Sequence, residues 1–349
     1  MRELPVTFSP EAGLTLAGTL CLPEDASPAR TVPALALLGG TGGDTRDGDM
    51  APERSPHVVD PPKRGLLRRF AHELAHRGVA TVRFDKRGCG ESGGLASASD
   101  YDTDRIDNVA AVGLLRSRRE IDPTRVGVAG HSAGAFNACI VAREVPDLAC
   151  AGLLGALSGT IEDLVRWNWG RVAEHWPRFS EAQRVWLRAN RPREVVGAFR
   201  GEEFIEAARR GEVVVRLEAE GLSIELDLVR FRQDMNQPMR PEFRHVQCPA
   251  LVLHGGDDMN VRVEDALGTY AALREAGNGD VDLVIVPGVD HSFQPVAKDP
   301  LERVWDRVSL ATMARPVSAL ALEALGSWAG RVLQADAAMS TRPGGRSGS

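Results

Sequence analysis

A chain of 349 residues, 43% hydrophobic and 26% charged, can bury a sizeable core and suits one large α/β domain with an insertion, or two domains. A formal net charge of −6 argues against a nucleic-acid partner, which usually meets a basic face. Met1-Arg2-Glu3-Leu4-Pro5 lacks the apolar core of a signal peptide, and no apolar run approaches the roughly 18 residues of a membrane span, so a cytoplasmic protein without a membrane partner is expected.

Residues 4–22 alternate apolar and polar positions around Pro10-Glu11-Ala12-Gly13 and predict a hairpin. Strands are expected at 32–38, 79–84, 126–129, 149–156, 250–254 and 281–286. Helices are expected at 66–77, 104–118, 133–143, 263–275 and 316–333. Short apolar strands separated by amphipathic helices imply a mostly parallel central sheet with helices on both faces. The alternation stops between about Gly159 and His245, where apolar residues recur at helical spacing with one strand-like patch at Val213-Val214-Val215. This gives a core from 1–158 and 246–334, an inserted, mainly helical cap at 159–245, and a tail at 335–349 with nothing to bury, expected to be disordered. The cap's tryptophans, Trp167, Trp169, Trp176 and Trp186, are expected to pack inside it. Cys21, Cys89, Cys139, Cys150 and Cys248 form an odd set with no C-x-x-C pair and read as buried free thiols.

The chemistry is announced by Gly130-His131-Ser132-Ala133-Gly134, placed where the strand at 126–129 turns into the helix at 133–143. Glycines on both sides of the serine permit the strained turn that exposes a nucleophile. A serine hydroxyl is a poor nucleophile at neutral pH, so it needs a base and a third group that orients the base. His291 is the candidate base, because it is the one histidine downstream of the acid loop and lies just past the strand at 281–286. For the acid, Asp257 and Asp258 compete after the strand at 250–254; the Gly255-Gly256 turn favours Asp258 and leaves Asp257 to cap or solvate it. Asp290 is weaker, since its neighbour His291 would point the other way in an extended loop. The oxyanion needs backbone N–H donors. Ala133 offers one at the helix N-terminus, and Thr41, within Gly39-Gly40-Thr41-Gly42-Gly43, is favoured as the second.

His72-Glu73-Leu74-Ala75-His76 matches the zinc-protease pattern, but Leu67, Phe70, Ala71 and Leu74 form the buried stripe of that helix and leave both histidines at its rim. The glycine and third histidine of the extended motif are replaced by Val79 and Val82. No metal site is therefore expected.

The segments Gly40-Thr41-Gly42-Gly43-Asp44-Thr45-Arg46-Asp47, Arg83-Phe84-Asp85-Lys86-Arg87-Gly88-Cys89-Gly90-Glu91-Ser92, the elbow, Asp258-Met259-Asn260-Val261 and Pro287-Gly288-Val289-Asp290-His291-Ser292-Phe293-Gln294 follow one another on both sides of the insertion. Together they resemble the α/β-hydrolase superfamily, and more narrowly a bacterial esterase group related to serine aminopeptidase-like and dienelactone hydrolase-like proteins. The resemblance implies an α/β-hydrolase fold with Ser132 as nucleophile, Asp258 as acid and His291 as base. The chain departs from the group at Ala133, where Glu is frequent, at Asp290, where Asn is frequent, and in its Gly-Thr-Gly-Gly where Gly-Ser-Gly-Pro is usual. These departures leave the triad intact and bear on substrate choice. The expected activity is hydrolysis of carboxylic esters of small or medium molecules through an acyl-enzyme, with no cofactor and a small-molecule acyl substrate as partner. An acyltransferase, thioesterase or lactone hydrolase would use the same triad, and a non-catalytic ligand-binding protein on the same scaffold is the reading from another class.

Overall fold

The computed structural model describes residues 1–41, 44–54 and 62–340. In chain order the strands are β1 (Arg2–Phe8), β2 (Leu16–Leu22), β3 (Val32–Leu38), β4 (Ala80–Phe84), β5 (Ile121–His131), β6 (Ala151–Leu154), β7 (Val214–Ala219), β8 (Leu222–Asp227), β9 (Ala250–Gly255) and β10 (Val281–Val286). The helices are α1 (Leu66–His76), α2 (Tyr101–Ser117), α3 (Ala133–Glu144), α4 (Ile161–His175), α5 (Glu181–Asn190), α6 (Pro192–Arg209), α7 (Val229–Asn236), α8 (Val263–Glu275), α9 (Pro300–Val308) and α10 (Ala319–Ser340).

Eight strands form one sheet in the order β1-β2-β4-β3-β5-β6-β9-β10. β1 pairs with β2, and β2 with β4, in antiparallel register; every other pairing in this sheet is parallel. Successive side chains on a strand point to opposite faces, and β3 shows both. Leu35 and Leu37 join Leu66, Phe70 and Leu74 of α1 and Leu325 and Trp328 of α10 in one core. Ala34, Ala36 and Leu38 join Leu115 of α2, Ala138 of α3 and Leu273 of α8 in the other. A strand buried on both faces must be apolar throughout, which explains the unbroken Val32–Leu38 run. Each fully buried leucine contributes about 1.5–3 kcal/mol, so these two layers hold the sheet edge that carries the site.

Several elements differ from the sequence expectation. β5 begins at Ile121, before the apolar run, because Val32 pairs with Ile121 across a register shift. The helix α9 was not foreseen; Asp299 caps it by accepting from the Leu301 and Glu302 N–H groups, and Pro300 opens it. α10 runs past Ala335 to Ser340, where the disordered tail was expected to begin, because alanine has the highest intrinsic helix propensity and recurs at Ala335, Ala337 and Ala338. Residues 341–349 of that expected tail lie outside the described residues. Among the described residues no helix is long and apolar enough to cross a membrane.

Between β6 and β9 the chain leaves the sheet and forms α4 to α7 with a hairpin, β7–β8. The second strand of that hairpin was not expected, because both strands bury one face only and alternate instead of running apolar throughout like the strands of the main sheet. Trp169 packs edge-on against Phe204 at 5.1 Å inside the insertion. Trp176 joins Phe179 and Leu187 against Val304 and Val308 of α9. Trp186 meets Trp305 of α9 at 5.4 Å, also edge-on. Polar contacts complete this attachment. Arg307 of α9 donates to Asn168 of α4, to Asn260 after β9 at 2.6 Å, and to Glu194 of α6 at 3.5 Å. At the other end, Tyr101 of α2 bonds Asp234 of α7, and Arg230 lies 4.0 Å over the Tyr101 ring.

Candidate active site

Ser132 stands between β5 and α3 with φ 59 and ψ −123, a left-handed backbone that a non-glycine residue adopts at a cost of order 1–3 kcal/mol. Its N–H donates to the Leu154 carbonyl at the end of β6, 2.8 Å away. The flanking glycine is required by space. A Cβ at Gly130 would lie 1.8 Å from the Gly134 carbonyl oxygen. Ala133, the first residue of α3, presents an N–H with no acceptor in its own helix.

The loop after β3 passes directly over this turn. A Cβ at Gly40 would fall 2.4 Å from the His131 carbonyl oxygen, 2.7 Å from Ser132 Cβ and 3.2 Å from the Ala133 nitrogen. Only glycine lets the loop lie this close to the turn; Thr41 is the next residue along it. Gly42 and Gly43 of the same loop lie outside the described residues.

Asp258 and His291 meet across two loops that leave adjacent parallel strands, β9 and β10. His291 Nδ1 and Asp258 Oδ2 are 2.6 Å apart, and the Asp258 side chain has no exposure. Asp258 Oδ1 accepts from the Asn260 and Val261 N–H groups at 2.7 and 2.9 Å. Burial alone would raise the pKa of Asp258, but the attraction and hydrogen bond of His291, with smaller contributions from His254 and Val261, hold it below the ordinary 3.8. The carboxylate is therefore ionised and accepts the Nδ1 proton, which leaves Nε2 as the free face of the imidazole.

The His291 ring and Ser132 adjoin one corner, the end of β6. A Cβ at Gly155 would lie 3.0 Å from His291 Cε1, one residue beyond the carbonyl that holds the Ser132 N–H. Among the described residues no hydrogen bond joins the Ser132 hydroxyl to His291. Such contacts are often long before substrate binds and tighten in the complex.

The other carboxylates take structural positions. Asp257 accepts from the Gly288 N–H at 2.9 Å and pairs with Arg303 at 2.5 Å, bracing the two loops against each other. Asp290 Oδ1 accepts from the Ser292 and Gln294 N–H groups, both at 2.9 Å, and folds the loop that carries His291. Burial pushes its carboxyl above the usual range.

Three contributors were not foreseen from sequence. His131 Nε2 donates to the His291 carbonyl at 2.7 Å, with the two rings 4.7 Å apart. Burial, then the nearby His291, drives the His131 pKa well below 6.5 and keeps it neutral. His254, fully buried on β9, bonds the Val261 carbonyl at 3.1 Å and lies 3.5 Å from Asp258 Oδ2. Burial likewise lowers its pKa, despite the carboxylate beside it. Lys86 Nζ donates to the Gly40 carbonyl at 2.6 Å. It follows Asp85, which grips the Arg46 guanidinium of the glycine-rich loop at 2.5 Å. The His131–His291 and Lys86–Gly40 contacts join segments distant in sequence, whereas His254 reaches only the turn that follows its own strand, four and seven residues on.

Trp167 of α4 lines a cleft of about 290 Å³ against Asp257, Asp258 and Met259. It differs in this from Trp169 and Trp176, which lie inside the packed clusters. At the zinc-like motif on α1, His72 bonds Glu3 of β1 at 2.9 Å and Glu73 pairs with Arg77 at 2.9 Å.

A family model described as serine aminopeptidase, S33, matches residues 63–294. An uncharacterized protein of Pseudomonas aeruginosa, PA2218, is 31% identical over 144 residues, which are 40% of this chain. The match spans about a third of that relative's length, 34%. Similar solved structures include the esterase domain of a Rhodothermus marinus protein, at 18% identity and TM-score 0.51, covering 95% of this chain and 99% of that one. Est1E from Butyrivibrio proteoclasticus, solved with ferulic acid, has 16% identity and TM-score 0.52, covering 89% of this chain and 98% of its own. The α/β hydrolase GrgF from Penicillium sp. sh18 has 18% identity and TM-score 0.53, covering 83% and 91%. At such identities these likenesses establish the fold. The chain belongs to the serine aminopeptidase S33 family of α/β-hydrolases.

Proposed function

We propose that this chain is a serine hydrolase that cleaves carboxylic esters of small or medium molecules through an acyl-enzyme. The reading is carried by the buried Asp258–His291 pair at 2.6 Å, facing the corner that also anchors Ser132. In this mechanism Ser132 Oγ attacks the ester carbonyl while His291 Nε2 accepts its proton. Asp258 holds Nδ1–H and stabilises the imidazolium. The tetrahedral oxyanion sits between the Ala133 and Thr41 N–H groups. Collapse breaks the bond to the alcohol oxygen, which takes the proton from His291; water then attacks the acyl-enzyme by the same route and frees Ser132. The insertion acts as a cap that shapes the substrate cavity, and no cofactor takes part.

The structural neighbours that are esterases support an ester over a peptide bond, while the family's name points to aminopeptidase chemistry. Fluorophosphonate labelling mapped by peptide mass, run beside short-chain aryl esters and aminoacyl anilides, separates these. The expected result is labelling at Ser132 with turnover of the esters and none of the anilides. Ser132→Ala should lose at least about 10⁴-fold in kcat with its melting transition retained. Wild-type turnover in that variant would remove the assignment.

A further inference from the structure

Sheet order decides what surrounds the glycine-rich loop. β3 lies between β4 and β5, so the loop leaving β3 at Gly39-Gly40-Thr41 has the segment after β4 on one side and the segment after β5 on the other. Lys86 stands two residues beyond the end of β4, and Ser132 one residue beyond the end of β5. The lysine reaches the loop from its side: Nζ donates to the Gly40 carbonyl at 2.6 Å. The serine reaches it from the opposite side, as the 2.7 Å approach of a Gly40 Cβ to Ser132 Cβ records.

The Gly40 carbonyl and the Thr41 N–H belong to one planar trans peptide and point in opposite directions. A carbonyl held on the β4 side therefore turns its partner N–H toward the β5 side, where Ser132 and the Ala133 N–H stand. Among the described residues the Thr41 N–H has no acceptor, so it remains available to a ligand. An ammonium on the carbonyl also polarises the amide and strengthens the N–H as a donor.

The geometry points to Lys86 as the positioning residue of the oxyanion hole, clamping the Gly40–Thr41 peptide so that the Thr41 N–H faces the developing charge. This rests on the serine-hydrolase reading above. Lys86 touches no substrate atom and acts through the peptide it holds. Its backbone is pinned as well, since Lys86 N–H donates to the Asp44 carbonyl at 2.9 Å. The charged groups around Nζ come from four segments: Asp44 of the glycine-rich loop at 3.8 Å, Asp104 of α2, Arg54, and Arg230 of α7. Burial lowers the lysine pKa from 10.5, partly offset by Asp104 and Asp44.

The test compares Lys86→Met and Lys86→Arg with wild type in ester turnover across pH and in fluorophosphonate labelling of Ser132. Lys86→Met is expected to lose at least about 10-fold in kcat with KM little changed, and to label more slowly, since one misaligned oxyanion donor costs up to about 10²–10³-fold. Wild-type kcat should fall as rising pH discharges Lys86, a limb that Lys86→Arg, which stays charged, lacks while keeping most of its activity. Thermal melts report whether each variant is folded. A folded Lys86→Met with wild-type kcat, or a Lys86→Arg profile with the same alkaline limb, overturns the proposal while wild-type labelling at Ser132 leaves the serine reading standing. Failure of wild type to label at all overturns both.

Discussion

The two halves of the site are held by different forces. On the β9–β10 side, side chains do the holding: Asp258 is fixed by two backbone N–H groups and the His291 imidazole in a space closed to solvent. On the β3–β5 side, backbone does it: a left-handed serine, a glycine in near contact with that turn, and an unsatisfied helix N-terminus. A buried charge tolerates no change of charge, whereas a close backbone approach tolerates no added volume. Substitutions should therefore fail for opposite reasons on the two sides.

The sharpest break on the charged side is Asp258→Asn. It preserves shape but disfavours the His291 tautomer that leaves Nε2 unprotonated, and kcat should fall by about 10⁴-fold in steady-state ester assays. The same carboxylate links the site to acid stability. Its folded pKa is lowered, so its stabilisation is fully present above the unfolded value near 3.8 and is lost as pH falls through the depressed folded value. Acid titration of the melting temperature should show wild type losing this contribution in that window and Asp258→Asn lacking the step.

On the backbone side, Gly40→Ala places a methyl group 2.4 Å from the His131 carbonyl oxygen and 2.7 Å from Ser132 Cβ. Overpacking of this kind costs about 1–3 kcal/mol, to be read by denaturant titration, and kcat should drop while the Asp258–His291 pair survives. The smallest effect is expected at Asp257→Asn. Its contacts with Arg303 and the Gly288 N–H brace the loops without reaching His291, so stability should fall by about 0.5–1 kcal/mol with kcat near wild type. A loss as large as that of Asp258→Asn would show that the neighbouring carboxylate had been misassigned.

The sheet was legible because its signals are local. The apolar runs at 250–254 and 281–286 and the helical spacing at 263–275 correspond to β9, β10 and α8. Gly130, Ser132 and Gly134 also carry their geometry in three neighbouring positions. Other features are tertiary. β8 alternates strictly, with Leu222, Ile224 and Leu226 on the face that packs against the insertion's core, but a six-residue alternation amid helical spacing is a weak signal beside the continuous apolar runs of the main sheet. The nine residues of α9 carry an apolar stripe at Leu301, Val304, Trp305 and Val308 behind the Asp299-Pro300 cap, but about two turns are too short for helical spacing to stand out from a loop. His254 looked like one more residue of a buried strand, and Lys86 like one more charge in a loop. The role of His254 appears once the turn after β9 folds back on its strand, and that of Lys86 once β4 is set beside β3.

The Arg307 guanidinium has a mechanical consequence. It grips Asn168 and Glu194 on the inserted helices with two of its nitrogens and Asn260, two residues after Asp258, with the third. Asn168 also donates to the Asn260 carbonyl at 2.9 Å, so the same strut is doubled. An outward swing of α4 has to part these bonds or drag the turn at Asn260 along with it. A displacement of α4 and a loosening of the turn beside Asp258 are, in this architecture, coupled through one guanidinium.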